Sequence, residues 1–142
     1  MSETLTSEDI DGIIEYNKSE LARYGDADLF EVDENYMYNT LPKWIDSHNH
    51  IKDKHTRIRK KATEILSGIS YYQPFFDANK RTALTATVLF LEKYGFTLPM
   101  YSLQFQKETG DLLIKTILKP TNDPSIIDEV ERYLENTIIS LD

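Results

Sequence analysis

The segment QPFFDANKRTAL, residues 73–84, runs from a loop into a strongly apolar stretch with helical periodicity. Within five positions it places a carboxylate, a carboxamide and two adjacent cations: Asp77, Asn79, Lys80 and Arg81. The N-terminus of a helix is already positive, so each of the two bases costs about a few tenths of a kcal/mol there unless an anion offsets it. The free N–H groups of a first helical turn bind phosphate readily. The segment therefore predicts a phosphate site.

Each side chain suits one part of such a site. Arg81 can bind two phosphate oxygens at once, whereas Lys80 acts as a point charge. Asp77 is a hard oxygen ligand suited to Mg²⁺, which would bridge to the phosphates. Ala78 keeps the turn small enough for the backbone to approach the ligand, and Phe75 is expected to point inward and fix the loop to the core.

A simpler interpretation of the same residues remains open at this point. Asp77 could cap the helix and Asn79 could form a turn with its own backbone. Lys80 and Arg81 would then be a solvated first turn, and spacing alone does not separate the two interpretations.

The length of 142 residues predicts one domain, residues 1–142, large enough for a hydrophobic core. The absence of cysteine excludes disulfides and thiolate metal sites. No apolar run approaches the roughly 18 residues of a membrane span, and the N-terminus lacks a signal pattern, so we expect a cytoplasmic protein without a membrane partner. A net charge of −8 argues against nucleic-acid binding.

The basic residues are unevenly placed. Residues 52–61 carry six of the sixteen bases and only one acid, Asp53. This segment either steers an anion toward the phosphate site or forms a solvated helix face that balances acidic neighbours.

Helical periodicity dominates the chain and predicts an all-α, compact single-domain bundle of five to six helices. A first helix opens at the capping pair Thr6 and Asp9 and stops at Gly25, and others cover about residues 50–71, 79–94, 102–117 and 125–140. The helix at 79–94 is apolar nearly all round, through Leu84, Val88, Leu89, Phe90 and Leu91, and is expected in the middle of the core. Residues 26–45 are expected to form a long loop that can include a short β-hairpin.

The residues from Gln73 to Arg81 resemble the signature of the Fic/Doc family, which reads His, any residue, Phe, two variable residues ending in Asp or Asn, Gly or Ala, Asn, Gly or Lys, Arg. The matching positions are Phe75, Asp77, Ala78, Asn79, Lys80 and Arg81. Lys80 and Leu84 resemble the Doc (death-on-curing) toxin branch, because AMP-transferring Fic proteins usually have Gly and a second Arg at these places. The catalytic histidine of the family is replaced by Gln73.

This resemblance implies a helical fold and transfer of a phosphoryl group, rather than AMP, from ATP or another NTP to a Ser or Thr hydroxyl of a target protein. It implies Mg²⁺ bound by Asp77, phosphates bound by Ala78, Asn79, Lys80 and Arg81, and a catalytic pair of Gln73 and Arg81. It also implies a protein substrate, such as a component of the translation machinery, an antitoxin partner, and a flap near residues 30–45 that clamps the target by strand-like pairing.

The presence of Gln73 in place of histidine leaves more than one function open. A histidine takes a proton from the attacking hydroxyl near neutral pH, whereas a glutamine amide can only accept a hydrogen bond and orient the hydroxyl. Loss of a positioned base typically costs roughly 10²–10⁴ in rate. We therefore expect either an impaired transferase or an inactive protein that keeps nucleotide or antitoxin binding; a helical domain with no ligand is a third alternative.

Two weaker sequence patterns lie outside the segment from Gln73 to Leu84. The side chains of Asp46, His48, His50, Asp53 and His55 could form a metal site or could be polar loop and helix-entry residues. The acidic residues of the last helix, which include Glu131, are expected to form a solvated face.

Overall fold

The computed structural model describes residues 2–118 and 123–141. These residues form six α-helices: α1 (Ser7–Arg23), α2 (Leu41–Asp46), α3 (Lys54–Tyr72), α4 (Asn79–Lys93), α5 (Leu103–Ile117) and α6 (Pro124–Thr137). Two short strands, β1 (Phe96–Thr97) and β2 (Ile139–Ser140), pair antiparallel. The predicted all-α bundle is confirmed. None of the helices described is both long enough and apolar enough to cross a membrane.

The first helix begins and ends where local chemistry predicts. Thr6 Oγ1 accepts a hydrogen bond from the backbone N–H of Asp9 at 3.1 Å, and the backbone N–H of Thr6 donates to Asp9 Oδ2 at 2.8 Å. This reciprocal capping box satisfies two N–H groups that the helix leaves unpaired. Beyond the C-terminus, Gly25 has a φ of 81°, a conformation that glycine adopts at little cost.

The centre of the core is α3 rather than α4. α3 packs against α2, α4, α5 and α6, and its predicted apolar stripe is buried throughout: Ile58, Ala62, Ile65, Leu66 and Ile69. α4 buries one face against α1 and α3, but Leu89 is 40% exposed and Leu84 and Val88 are only half-buried. The prediction of a central α4 is therefore wrong, because helices cover α3 on more sides.

The structure of residues 26–45 differs from the predicted long loop with a short β-hairpin. They contain a 3₁₀ turn (Ala27–Leu29) and a π-helical turn (Tyr36–Thr40) that continues directly into α2. The turn and α2 bury Tyr36, Met37, Leu41 and Ile45, which lie at helical spacing. A hairpin would bring alternate residues to one face, so this burial pattern favours the helical turn.

The start of α3 also differs from the prediction at residue 50. The Asp53 side chain accepts hydrogen bonds from the backbone N–H of Thr56 at 2.9 Å and from its hydroxyl at 2.7 Å. This cap fixes the helix start at Lys54.

The last helix begins as predicted: Asp123 caps α6, and Pro124 is its first residue.

The basic segment 52–61 pairs with acids from both ends of the chain. Arg57 and Lys61 contact Glu3, and Arg59 and Lys60 contact Glu131. These pairs support the charge-balancing interpretation over anion steering. They also correct the expectation that the acidic face of the last helix is entirely solvated, because only 17% of the Glu131 side chain is exposed.

Candidate functional site

The loop between α3 and α4 is bracketed by two residues in the left-handed conformation. Gln73 has φ 48° and ψ 60°, and Ala78 has φ 60° and ψ 27°; within residues 2–118 and 123–141 no other non-glycine residue has a positive φ. Each such residue costs roughly 1–2 kcal/mol. The two reversals turn the chain so that the exposed Gln73 side chain and the N-terminus of α4 border one space. Strain of this kind is a reason to suspect function.

The inner side of the loop is held by Asn79. Its Oδ1 accepts a hydrogen bond from the backbone N–H of Phe75 at 3.0 Å, and its Nδ2 donates to the Phe75 carbonyl at 3.0 Å. Phe75 is 4% exposed, as expected for a residue that anchors the loop. The Asn79 side chain is therefore committed to the loop, and a phosphate would meet the backbone at this position.

The buried residue Asn17 of α1 also supports the site, and the sequence analysis missed it. Its Nδ2 donates to the Asp77 carbonyl at 2.9 Å and to Thr82 Oγ1 at 3.0 Å, which ties α1 to the loop and to α4. The available signal was a polar residue in line with the apolar positions Ile10, Ile13 and Leu21.

The outer side of the loop pairs with residues 31–33. The backbone N–H of Asp33 donates to the Pro74 carbonyl at 2.7 Å, and that of Phe76 donates to the Glu31 carbonyl at 3.2 Å. Val32 and Phe75 form an isolated antiparallel bridge. A groove of about 600 Å³ lies here, lined by residues 30–33 and 73–76.

The predicted site residues converge on one cavity of about 180 Å³. Its described lining consists of Gln73, Asp77, Ala78, Asn79, Lys80, Arg81 and Ile117. Gln73 lines both this cavity and the groove, so it stands at the boundary between them.

The electrostatics of the cavity favour an anion. Ala78 is the N-cap residue of α4 and supplies no side-chain hydrogen bond to it. Asp77 Oδ1 accepts from the adjacent backbone N–H of Ala78 at 2.7 Å, so it does not cap α4 either. Lys80 is exposed and has no ion pair with any residue that the structure describes. An uncapped helix N-terminus with an unpaired lysine is a positive site.

Arg81 points toward α1 in this structure. Its Nη1 donates to Tyr24 Oη at 3.0 Å and to Glu20 Oε2 at 3.3 Å, and its guanidinium lies 5.0 Å from the centre of the Tyr24 ring. It lines both the 180 Å³ cavity and a larger cavity of about 520 Å³ between α1, α4 and α5. A phosphate in the smaller cavity would compete with Glu20 for this guanidinium.

The donor set around Asp77 fits Mg²⁺ bound together with phosphates. The carboxylate is exposed, and no described cluster of three or more His, Cys, Asp or Glu side chains could hold a metal alone. Mg²⁺ usually takes one or two carboxylates and completes its shell with substrate phosphates and water.

The alternative prediction of a metal site at Asp46, His48, His50, Asp53 and His55 is wrong, because no described cluster of this kind could hold a metal. His48 Nε2 instead lies 3.0 Å from Glu64 Oε1, and Asp53 caps α3.

A model of the Fic/DOC family matches residues 12–91, which is more than half of the chain. The protein therefore belongs to the Fic/DOC family. No curated protein and no solved structure matches the chain. Membership in this family supports a transferase-type function on proteins. The match covers most of α1, all of α2 and α3, the loop and most of α4.

Proposed function

We propose that this protein is a Doc-like, toxin-type transferase that moves a phosphoryl group from ATP or another NTP to a Ser or Thr hydroxyl of a target protein. The observation that supports this most is the 180 Å³ cavity at the N-terminus of α4, which Gln73, Asp77, Lys80 and Arg81 all line. ATP as the co-substrate also implies a cytoplasmic location.

The nucleotide phosphates lie against the first turn of α4 in this proposal. The backbone N–H groups there and the Lys80 ammonium bind phosphate oxygens, and Arg81 adds a bidentate contact when it leaves Glu20. Asp77 would hold Mg²⁺, which would supply charge neutralisation on the phosphates. Because the transition state of phosphoryl transfer is loose, positioning and charge stabilisation of this kind carry most of the catalysis.

The target segment lies in the groove formed by residues 30–33 and 73–76. Its hydroxyl oxygen attacks the terminal phosphorus, an O–P bond forms, and the bond from phosphorus to the bridging oxygen breaks to release the nucleoside diphosphate. The hydroxyl proton must also be lost, and with no base beside it in the parent protein it passes to solvent water. The Gln73 carbonyl oxygen can accept a hydrogen bond from the hydroxyl and orient it, but the amide cannot take the proton, so this step is slow.

By resemblance, Lys80 and Leu84 favour phosphoryl over AMP transfer, because AMP-transferring relatives usually carry Gly and Arg at these positions. Leu84 lines the 520 Å³ cavity beside Arg81, so position 84 supplies no guanidinium to it; the other arginine of the described lining is Arg23 of α1.

A second candidate is a catalytically inactive protein that binds nucleotide or an antitoxin. The exposed Gln73 side chain favours it, because a carboxamide cannot act as a general base near neutral pH. The two candidates share the phosphate site and differ only in turnover.

The test compares the parent, Gln73→His and Gln73→His with Asp77→Ala, each incubated with Mg²⁺, a cell extract and ATP carrying label on either the α- or the γ-phosphate. We expect Gln73→His to label a protein from γ-labelled ATP roughly 10²–10⁴ times faster than the parent and to lose this activity with Asp77→Ala. Label from α-labelled ATP would show AMP transfer instead.

Binding is measured separately. ATP with Mg²⁺ should raise the Tm of the parent and of Gln73→His alike, because any ligand of the native state stabilises it. A shift in Tm without labelling by Gln73→His would support the binding protein. The absence of any shift would contradict the ATP-dependent transferase and the nucleotide-binding form of the second candidate, and would leave only antitoxin binding.

A further inference from the structure

A separate pocket of about 240 Å³ lies beside the last turns of α3. Three aromatic rings and a carboxylate surround it: Tyr36 from the π-helical turn, Trp44 from α2, and Tyr72 and Glu64 from α3. Gly68 and Ile127 complete the described lining. Trp44 and Tyr72 are 48% and 49% exposed, so half of each large ring faces solvent at the pocket mouth. None of these residues belongs to the described lining of the cavity at the N-terminus of α4.

We infer that this pocket is an aromatic cage that binds a cationic side chain, the ammonium of Lys or the guanidinium of Arg, on a protein partner.

The rings are held in place by the surrounding fold. The Tyr36 and Tyr72 ring centres are 5.1 Å apart at 41°, and Tyr72 is supported by an edge contact with Tyr71 at 4.9 Å and 84°. A Cβ at Gly68 would lie 2.6 Å from Tyr36 Oη, so only glycine lets the Tyr36 ring lie this close to α3. The cage therefore exists before any ligand binds, which reduces the entropy lost on binding.

The charge of the pocket matches a cation. Aromatic rings present a negative face that attracts ammonium and guanidinium groups. Glu64 adds a carboxylate that is 24% exposed and whose Oε1 contacts His48 Nε2. None of the described lining residues is Lys or Arg, and the imidazole of His48 is the described group that pairs with Glu64. A purely apolar ligand would gain nothing from Glu64, which favours a cation.

The cage adjoins the groove assigned to the target segment, because Tyr72 immediately precedes Gln73. The cationic side chain would thus belong to a protein that also occupies the groove. The identity of this partner rests on the proposed function, whereas cation binding by the cage does not.

Trp44 is the only tryptophan of the chain, so intrinsic tryptophan fluorescence reports on this pocket alone. The probes are choline, its neutral isostere 3,3-dimethyl-1-butanol, and Nα-acetyl-lysine methylamide, at constant ionic strength. We expect saturable fluorescence changes with choline and the lysine derivative, at concentrations at least about tenfold lower than any change with the neutral isostere.

Substitutions distinguish cation binding by the cage from unspecific effects of choline on the protein. Glu64→Gln and Tyr72→Ala should weaken the choline response about tenfold, whereas Tyr72→Phe should keep it because the ring face remains. Tyr101→Ala removes a tyrosine that is 86% exposed and does not line the pocket, so it is the matched control. Thermal melts confirm that each variant folds. Equal responses to choline and its neutral isostere, or no saturable response in a folded parent, would overturn the inference.

A combined measurement distinguishes the two proposals. Lys80→Ala should reduce the ATP-induced Tm shift and leave the choline response unchanged. If the ATP shift is absent and choline still binds, the cage stands and the phosphate site fails. If ATP binds and choline does not, the cage alone is rejected.

Discussion

At residue scale, Gln73 and Ala78 set the shape of the candidate site. Both adopt a left-handed conformation that side chains with a Cβ disfavour, and both border the cavity at the N-terminus of α4. The sequence predicted which side chains meet there, because adjacent residues at a helix start must share a space. It did not predict that the Asn79 side chain bonds Phe75, since this depends on the path of the loop.

The strain at Ala78 predicts a stabilising substitution. Ala78→Gly removes a conformational cost of roughly 1–2 kcal/mol and adds an unfolded-state cost of about 0.4–1 kcal/mol. We expect a net rise of about 0.5–1 kcal/mol in the free energy of unfolding, measured by urea denaturation. Ala22→Gly, in an exposed position of α1, is the matched control and should lower stability by up to about 1 kcal/mol. A loss of stability in both variants would contradict the argument.

At the scale of elements, α1 is as important to the site as the loop itself. It supplies Asn17, which bonds the Asp77 carbonyl and Thr82. It also supplies Glu20, which holds Arg81 together with Tyr24, the C-cap residue of the helix. Helices with strong local signals were predicted close to their observed ends, as the Thr6 and Asp123 caps show. The turn at residues 36–40 was missed because a π-helical turn depends on tertiary burial of Tyr36 and Met37.

Removal of Asn17 tests the link between α1 and the loop. Asn17→Ala leaves the Asp77 carbonyl and Thr82 Oγ1 without a buried donor, so stability should fall by about 1–3 kcal/mol. ATP affinity, followed by calorimetry, should fall as the loop loosens. The exposed Asn39 side chain donates to Asn35 Oδ1, and Asn39→Ala should change neither quantity beyond about 0.5 kcal/mol.

The ion pair between α1 and α4 predicts a gain in affinity. Glu20→Gln frees Arg81, and also Arg23, from a shared carboxylate. Half of the Arg81 side chain is exposed but only 12% of the Glu20 side chain is, and pairs at the surface are worth about 0.2–1 kcal/mol. ATP should therefore bind up to about fivefold more tightly in calorimetry. Glu15→Gln, which removes the partner of Lys18 on the same helix, controls for the change in net charge. Equal affinity changes in both variants would show a general charge effect.

At the scale of the whole molecule, the N-terminal segment is bound to α3 through Glu3. Arg57 binds both carboxylate oxygens of Glu3 at 2.8 Å, and the fully buried Lys61 donates to the Glu3 carbonyl at 2.6 Å and to Asn49 Oδ1 at 2.5 Å. Local patterns could not reveal this contact, because Glu3 and Lys61 are far apart in sequence and become neighbours only in the folded bundle.

This cluster predicts a pH dependence of stability. The hydrogen bonds from Arg57, together with Lys61, lower the pKa of Glu3 from 4.5 to about 2. A lowered carboxylate pKa contributes stability above pH 4.5 that is lost as the pH falls from 4.5 to 2. We expect the parent to exceed Glu3→Gln by on the order of 3 kcal/mol at pH 7, with the gap closing toward pH 2 in urea titrations. A gap independent of pH would contradict the assignment.

The exposure of Gln73 at a helix end has a genetic consequence. Its side chain lies outside the core and makes no described hydrogen bond, and histidine also tolerates the left-handed conformation. Codons for glutamine and histidine differ at one base, so one transversion can exchange the residues while the fold is kept. If the proposed chemistry is right, a population of cells can acquire or silence a harmful activity at this codon without first passing through a misfolded protein.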